Sequence, residues 1–411
     1  MMDDMNHPLI TSPTSFDLLV PPRVVFGWGR RREIGPLAAS LGRRAFFICG
    51  STLLQANGTI ADLVHLISAA NVQPVMLAHV SREPLVKDVD QVTRQLLKHQ
   101  PAQGDVVIAI GGGSAMDLGK AVAAMVTNRE GTSVADYLEG VGQGLKITKP
   151  LLPVLAVPTT AGTGSEATKN SVISSVVPPF KKSLRSCAMI PQIVLIDPEL
   201  TISVPPQTTA YTGMDAITQL IESYISCRAT SFTRTICLEG LRYALPAIET
   251  AVQNGTSRPA REAMAYAAYL SGVALANSGL GLAHGVAAAL GVQANVPHGL
   301  ACAVMLPPTL RANRACCTRE FATMLTCWKA TEQNNMPAAL PTHDIEKSAD
   351  DFVERIDQLV TALAIPQRLS QIGVQREQLS ALVSGSHGNS RTGNPFLITD
   401  EQVASLLDQI F

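Results

Sequence analysis

The stretch Asp105-Val106-Val107-Ile108-Ala109-Ile110-Gly111-Gly112-Gly113-Ser114-Ala115-Met116-Asp117 decides how this chain is read. The unbroken apolar run predicts a strand buried on both faces, and residues 118–125 continue at helical spacing. Three glycines between them leave backbone N–H groups bare at a helix N-terminus, where the partial positive charge favours an anion. The stretch reads as a pyrophosphate site at the carboxyl end of a parallel strand. Ser114 with Asp117 also fits an N-cap and its acidic partner, which would make the segment a capped helix after a tight turn. The motif is neither GxGxxG nor the GxxxxGK of a P-loop, so it does not name the nucleotide.

Outward from this point the chain has two rhythms. Apolar runs at 44–49, 72–78, 105–110, 151–157 and 193–196 alternate with helical stretches, which predicts a parallel, Rossmann-like α/β sheet covered on both faces. The run ending at residue 157 leads into Pro158-Thr159-Thr160-Ala161-Gly162-Thr163-Gly164-Ser165-Glu166, a second small-residue loop. Two such loops at neighbouring strand ends make a crevice, and Thr159, Thr160 and Thr163 offer hydroxyls to ribose, phosphate or carboxamide. After Pro205-Pro206 nearly everything is helical, notably 208–226, 233–253, 259–277 and 350–363. The expected organisation is a dinucleotide-binding α/β domain over 1–205 and an all-α metal and substrate domain over 206–411, with 329–349 as a polar surface connection.

Composition narrows the function. Lys plus Arg number 32 against 33 Asp plus Glu, and the largest basic cluster is Arg30-Arg31-Arg32, so a nucleic-acid partner is not expected. Residues 1–8 carry two aspartates and no apolar core of signal-peptide length, so the expected location is the cytosol. The uncharged stretch 272–299 contains Asn277, Ser278, His284, Gln293 and Asn295, which suits a buried, close-packed helix better than a membrane span. Eight cysteines without a CxxC pair are read as small apolar packing residues, with no metal cluster among them.

The helical half carries the candidate chemistry. Asp215 lies in Gly213-Met214-Asp215-Ala216, His284 in Leu282-Ala283-His284-Gly285, and His298 in Val296-Pro297-His298-Gly299. One carboxylate and two imidazoles, with a position left for substrate, suit a catalytic divalent metal. Each histidine also fits a hydrogen-bonded core residue. Beside a nucleotide crevice, a metal would polarise a carbonyl while a nicotinamide exchanges hydride.

With these motifs in order, the chain resembles the iron-containing, or group III, alcohol dehydrogenases. The likeness runs from Phe16 through Pro22-Arg23-Val24-Val25-Phe26-Gly27, the glycine triplet with Leu118-Gly119-Lys120, the loop at 158–166, Asp197-Pro198-Glu199-Leu200 and Thr212-Gly213-Met214-Asp215-Ala216 to Val296-Pro297-His298-Gly299 and Gly393-Asn394-Pro395. The resemblance implies a cleft between a dinucleotide-binding domain and a helical metal domain, and an NAD(P)-dependent interconversion of small alcohols and aldehydes, commonly by a homodimer. By position it implies that Gly111, Gly112, Gly113 and Ser114, with Asp117, hold the pyrophosphate. Thr159, Thr160 and Thr163 would flank the adenine and ribose, and Asn170 and Lys181, or Lys182 in a slipped register, would reach the nicotinamide ribose. Asp215, His284 and His298 fall on metal-ligand positions.

Three departures from the family matter. The family's helix usually has a histidine one turn after the metal aspartate, and here that place is Gln219, a poor neutral ligand and a doubtful fourth. The remaining Asp-His-His set is similar to the zinc arrangement of the related glycerol dehydrogenases, which leaves Fe and Zn both open. A second histidine one turn after the first metal histidine is replaced by Ala288; a water chain or another side chain would then move the proton, with His387 the candidate, although its glycine-flanked loop also fits a plain solvent-exposed histidine. The strand at 44–49 typically ends in an aspartate that repels a 2′-phosphate, and here it ends in Gly50, so NADP is expected to be accepted beside or ahead of NAD. Two further functions fit the same architecture: a nucleotide-binding member with impaired catalysis, to which Gln219 and Ala288 point, and a lyase similar to dehydroquinate synthase.

Overall fold

The computed structural model describes residues 15–332 and 344–411. Its strands are β1 (Arg23–Phe26), β2 (Arg44–Cys49), β3 (Gln73–His79), β4 (Asp105–Gly111), β5 (Val154–Pro158), β6 (Asn170–Val176), β7 (Pro179–Arg185) and β8 (Ile193–Ile196). The helices of the first half are α1 (Ile34–Leu41), α2 (Thr52–Ala56), α3 (Thr59–Ala69), α4 (Val86–Lys98) and α5 (Gly113–Met125). The second half carries α6 (Pro206–Ile225), α7 (Ser231–Gln253), α8 (Arg258–Ser278), α9 (Leu282–Ala294), α10 (His298–Asn313), α11 (Thr318–Glu332), α12 (Ile345–Ala362), α13 (Leu379–Gly385) and α14 (Asp400–Gln409). The first half is a parallel α/β unit and the second is helical.

Six strands form one parallel sheet in the order β1-β8-β5-β4-β2-β3. β4 is buried along its whole length, as its unbroken apolar run requires. The register pairs Cys49 with Ile110 and Gly111 with Pro158, so the loops opening at Gly50, Gly112 and Thr159 leave three adjacent strands at one edge. Parallel strands all point the same way, which is why residues far apart in sequence gather at their carboxyl ends.

The strand expectations agree with this sheet to within a few residues. Two features escaped the sequence reading: the edge strand β1, and the antiparallel hairpin of β6 and β7. The hairpin's half-buried lysine-bearing strand looks too polar for a core element. The stretch 272–299 is buried as expected, but it is not one helix. It breaks at Gly279, and α8 and α9 meet at a bend of 101°. Among the described residues no single helix is long and apolar enough to cross a membrane. Of the expected surface connection at 329–349, residues 333–343 lie outside the described residues, and what flanks them ends α11 and starts α12.

A pair of glycines brings the two halves together. Gly164, in the loop after β5, has φ +60°, and a Cβ on Gly272 of α8 would lie 2.2 Å from the Gly164 carbonyl oxygen. Only two bare backbones pass that closely, so the threonine-rich loop is seated directly on the helical half.

Candidate active site

Between the halves lies a cleft of about 1110 Å³, walled by the strand-end loops on one side and by α6, α9 and the start of α10 on the other. On the strand side, α5 begins at Gly113 with Gly112 as its N-cap residue, and no side chain caps it. The alternative of a Ser114 cap is therefore not what the fold contains, and the helix N-terminus faces the cleft bare. Gly112, Gly113 and Ser114 line that wall with Thr159, Thr160 and Thr163. Gly111 does something else: it has φ +152°, and a Cβ there would lie 2.7 Å from the Ala115 Cβ and 2.9 Å from the Gly50 Cα. It lets β2 and β4 end side by side under α5.

Asp117 is also employed below the cleft floor. Its carboxylate accepts the Ser165 hydroxyl at 2.6 Å and lies 3.5 Å from Lys120 Nζ. Lys120, fully buried, donates to the Ser165 carbonyl at 2.7 Å, the Ser165 hydroxyl at 2.8 Å and Thr168 Oγ1 at 3.0 Å, and also to the Asn170 carbonyl. Burial raises the Asp117 carboxyl, lowers the Lys120 ammonium and pushes the neighbouring Glu166 carboxyl up to about 7. This cluster ties the threonine loop and β6 to α5, and so sets the crevice's shape from beneath. Asn170 and Lys181 line the cleft, and Lys181 Nζ is held 2.5 Å from Glu83 Oε1. Lys182 lines it as well.

At the far end of the crevice, Gly50 abuts α5: a Cβ there would lie 2.8 Å from the Ala115 Cβ. The Ser51 hydroxyl caps α2 by accepting Leu54 N–H at 3.2 Å. Arg44 is committed at the opposite edge of the sheet, to Asp105 at 2.7 Å. Arg82, two residues after Val80, whose N–H donates to the Cys49 carbonyl at 2.8 Å, lines the same cleft as Gly50 with its guanidinium on Asp88. Sequence spacing could not find it, because β3 becomes the neighbour of β2 only through sheet order.

On the helical side, Asp215 and Gln219 of α6 face His284 of α9 and His298 of α10. Asp215 Oδ1 is 3.2 Å from His284 Nε2 and 3.8 Å from His298 Nε2. His284 Nδ1 lies 2.7 Å from Glu222 Oε2, and Glu222 also accepts the Ala283 N–H at 2.6 Å. The buried carboxylate of Glu222 thus caps α9, whose own N-cap, Gly281, has no side chain, and turns the His284 ring. His284 Nε2 and Asp215 Oδ1 lie at 3.2 Å with positive charge between them, either the proton of an imidazolium or a cation that takes its place. Burial opposes protonation of His284, but Cys302, Asp215 and Glu222 together hold its pKa well above the ordinary range. Burial alone would raise Asp215, yet His298, His284 and Gln219 bring it down to about 2. Burial, with Lys181 and His284 beside it, pushes His298 down to about 4 despite the opposing pull of Asp215.

Gln219 is not placed as a ligand. Its amide nitrogen donates to Asp215 Oδ1 at 3.0 Å, and its oxygen accepts the Ser271 hydroxyl at 2.7 Å. Turning the amide over would set two acceptor oxygens face to face, so the oxygen points away from the cluster. Cys302, expected as a small apolar packing residue, is buried in the helical core and also reaches this cluster. Its Sγ lies 3.7 Å from His298 Nε2, and the donor atoms of Asp215, His284, His298 and Cys302 all fall within 4.8 Å of one another. The signals were present as helical spacings: Glu222 lies seven residues after Asp215, and Cys302 four after His298. Ala288 lines the cleft one turn beyond His284. His387 sits at the rim, exposed, with Nε2 3.1 Å from Asp400 Oδ2 and 3.4 Å from Arg391 Nη1. The donor set suits a divalent cation: an ionised carboxylate and two imidazole lone pairs converge at the cleft wall.

A parallel sheet with a bare helix terminus, facing a convergent carboxylate–imidazole cluster across one cleft, defines a nucleotide-dependent, metal-type oxidoreductase scaffold. Residues 21–198 match the family described as iron-containing alcohol dehydrogenase, and residues 209–411 match the C-terminal family of Fe-containing alcohol dehydrogenases. The probable alcohol dehydrogenase EutG of Escherichia coli K12 is 32% identical over 389 residues, covering 94% of this chain and 92% of that protein. The solved structure of a 1,3-propanediol oxidoreductase superposes with a TM-score of 0.88 at 28% identity, covering 97% of this chain and 100% of the other. Sulfoacetaldehyde reductase from Bifidobacterium kashiwanohense, solved in complex with NAD+, gives 0.82 at 28% identity, with 97% and 99% coverage. The chain belongs to the iron-containing alcohol dehydrogenase family, whose members are oxidoreductases.

Proposed function

We propose that this protein is an NAD(P)-dependent dehydrogenase/reductase that exchanges hydride between the nicotinamide and a small alcohol or aldehyde, assisted by a divalent metal held by Asp215, His284 and His298. The observation that carries the reading is the convergence of Asp215 Oδ1 with the Nε2 atoms of both histidines on the cleft wall facing the glycine and threonine loops. A bound cation would supply Lewis acidity to the substrate oxygen. The chain's own residues do the remaining work. Gly112, Gly113 and Ser114 offer N–H groups to the pyrophosphate, Thr159, Thr160 and Thr163 offer hydroxyls to the adenosine side, and Asn170 and Lys181 lie towards the nicotinamide ribose.

Glu222 fixes the His284 tautomer, and Gln219 orients Asp215 from behind. His387, joined to Asp400 at the rim, is assigned the exchange of the alcohol proton with solvent in place of the residue missing at 288. Gly50 removes a negative charge from the adenosine end and Arg82 adds a positive one, which supports acceptance of NADP. The functional boundary is placed between 205 and 206, at the proline pair that starts α6, and a cytosolic homodimer is the proposed working form. Fe and Zn both fit the Asp-His-His set.

The test is metal analysis joined to steady-state kinetics on short aldehydes with NADPH and NADH, for wild type and Asp215→Ala. Metal-dependent turnover that Asp215→Ala abolishes is expected. Nucleotide binding without turnover under any supplied metal would point instead to a binding protein with impaired catalysis.

A further inference from the structure

We propose that Cys302 supplies the fourth protein ligand, so that this chain closes its metal centre with a thiolate where Gln219 has withdrawn. The inference rests on the metal reading above. Three separations carry it: 3.2 Å between His284 Nε2 and Asp215 Oδ1, 3.8 Å between His298 Nε2 and Asp215 Oδ1, and 3.7 Å between His298 Nε2 and Cys302 Sγ. The edges of a tetrahedral zinc site, built from about 2.0–2.1 Å bonds to nitrogen or oxygen and about 2.3 Å to sulfur, are about 3.4 Å, and about 3.6 Å where sulfur takes part. Each of these three edges is within about 0.4 Å of that geometry, and all four donor atoms lie within 4.8 Å of one another.

Helix geometry places the sulfur. Cys302 is one turn beyond His298 on α10, on the same helical face, and fully buried. Asp215, Gln219, His284 and His298 line the cleft, whereas Cys302 lies beneath them and approaches from the protein side. The cleft side thus stays open for a substrate oxygen as a fifth neighbour, an expansion that zinc tolerates. Charge agrees with the placement. Binding a divalent cation releases the thiol proton to solvent, and one carboxylate, one thiolate and two neutral imidazoles then sum to two negative charges. A glutamine at 219 contributes none. Sulfur in the set also changes the metal preferred: thiolate with imidazole selects zinc over harder, oxygen-seeking ions.

X-ray absorption on the zinc-loaded wild-type protein reads the ligand directly. A sulfur scatterer at about 2.3 Å is expected, and its absence with zinc stoichiometrically bound overturns the assignment of Cys302 while leaving the Asp-His-His reading intact. Failure to bind zinc or cobalt at all, measured by metal content, defeats both. Cobalt-loaded wild type should show a near-ultraviolet thiolate-to-metal charge-transfer band that is lost in Cys302→Ser, and a band that survives the substitution overturns the proposal. Should Cys302→Ser fold poorly, the absorption experiment on wild type stands by itself. Gln219→His combined with Cys302→Ser gives a second check: cobalt retention with no charge-transfer band is expected, since the imidazole would take the place of the sulfur.

Discussion

Two buried polar clusters face the same cleft from opposite sides, and they are built on opposite principles. Under the nucleotide loops, Lys120 donates to oxygens of Ser165, Thr168 and Asn170, and Asp117 takes the Ser165 hydroxyl, so donors and acceptors are matched within the protein. In the helical half, Asp215 Oδ1 faces the Nε2 atoms of His284 and His298, and the proton that His284 holds there is one that a metal cation would displace. A closed network of donors and acceptors fastens one loop to one helix. A set of ligand atoms converging on one point can exchange its proton for a metal cation. Burial of charged groups is common to both and does not by itself mark a catalytic site; the convergence of metal-ligating atoms at the cleft does.

The comparison can be broken. Asp215→Ala should lower turnover by about 10³-fold or more through loss of Lewis-acid stabilisation and remove the metal. Lys120→Met should do the reverse, destabilising the fold by about 3–5 kcal/mol because buried carboxyls lose their partner, while the metal content of the folded fraction stays at the wild-type level. Calorimetry and elemental analysis on both variants decide it, and exchanged outcomes would end the distinction.

Glu166 gives a pH test of the closed cluster. Its carboxyl is raised from 4.5 to about 7 by burial. Below pH 4.5 both folded and unfolded states carry the proton, between there and about 7 only the folded state does, and stability therefore falls as pH rises through that window. The loss amounts to about 3 kcal/mol at about 1.36 kcal/mol per unit. Glu166→Gln should flatten this slope, as chemical denaturation at pH 5 and pH 8 would show; an unchanged slope would assign it to other groups.

Smaller effects sharpen the picture. Glu222→Gln frees the His284 ring, and metal affinity measured by competition with a chelator should fall by about 10–100-fold. Arg82→Ala should shift the NADPH to NADH ratio of kcat/KM towards NADH by roughly two- to fivefold, as befits a half-exposed ion pair. No change would move the 2′-phosphate contact away from β3.

Much of the fold was readable from local pattern. Unbroken apolar runs mark strands covered on both faces, and Pro205-Pro206 marks the start of α6. What was missed had a weak local signal or none. β7 carries Lys181 and Lys182 and reads as surface, yet it is one half of a hairpin on the cleft. The bend between α8 and α9 is invisible to charge pattern, because the chain is uncharged on both sides of Gly279 from 272 to 299, and it is this bend of 101° that turns α9 away from the line of α8.

By itself the sequence determined the glycine loop at a strand end, the carboxylate or imidazole at each of Asp215, His284 and His298 taken singly, and the absence of charge at Gly50. Each depends on residue type within a turn or two of backbone, where the geometry is local and fixed. Only the tertiary structure decided that Gln219 turns its oxygen to Ser271, that Glu222 orients His284, that Arg82 lines the same cleft as Gly50, and that Cys302 comes within reach of the cluster. Those outcomes depend on which strands are neighbours and how helices cross. Contacts between residues some sixty positions apart are set by packing, and no local pattern encodes which lone pair will meet which.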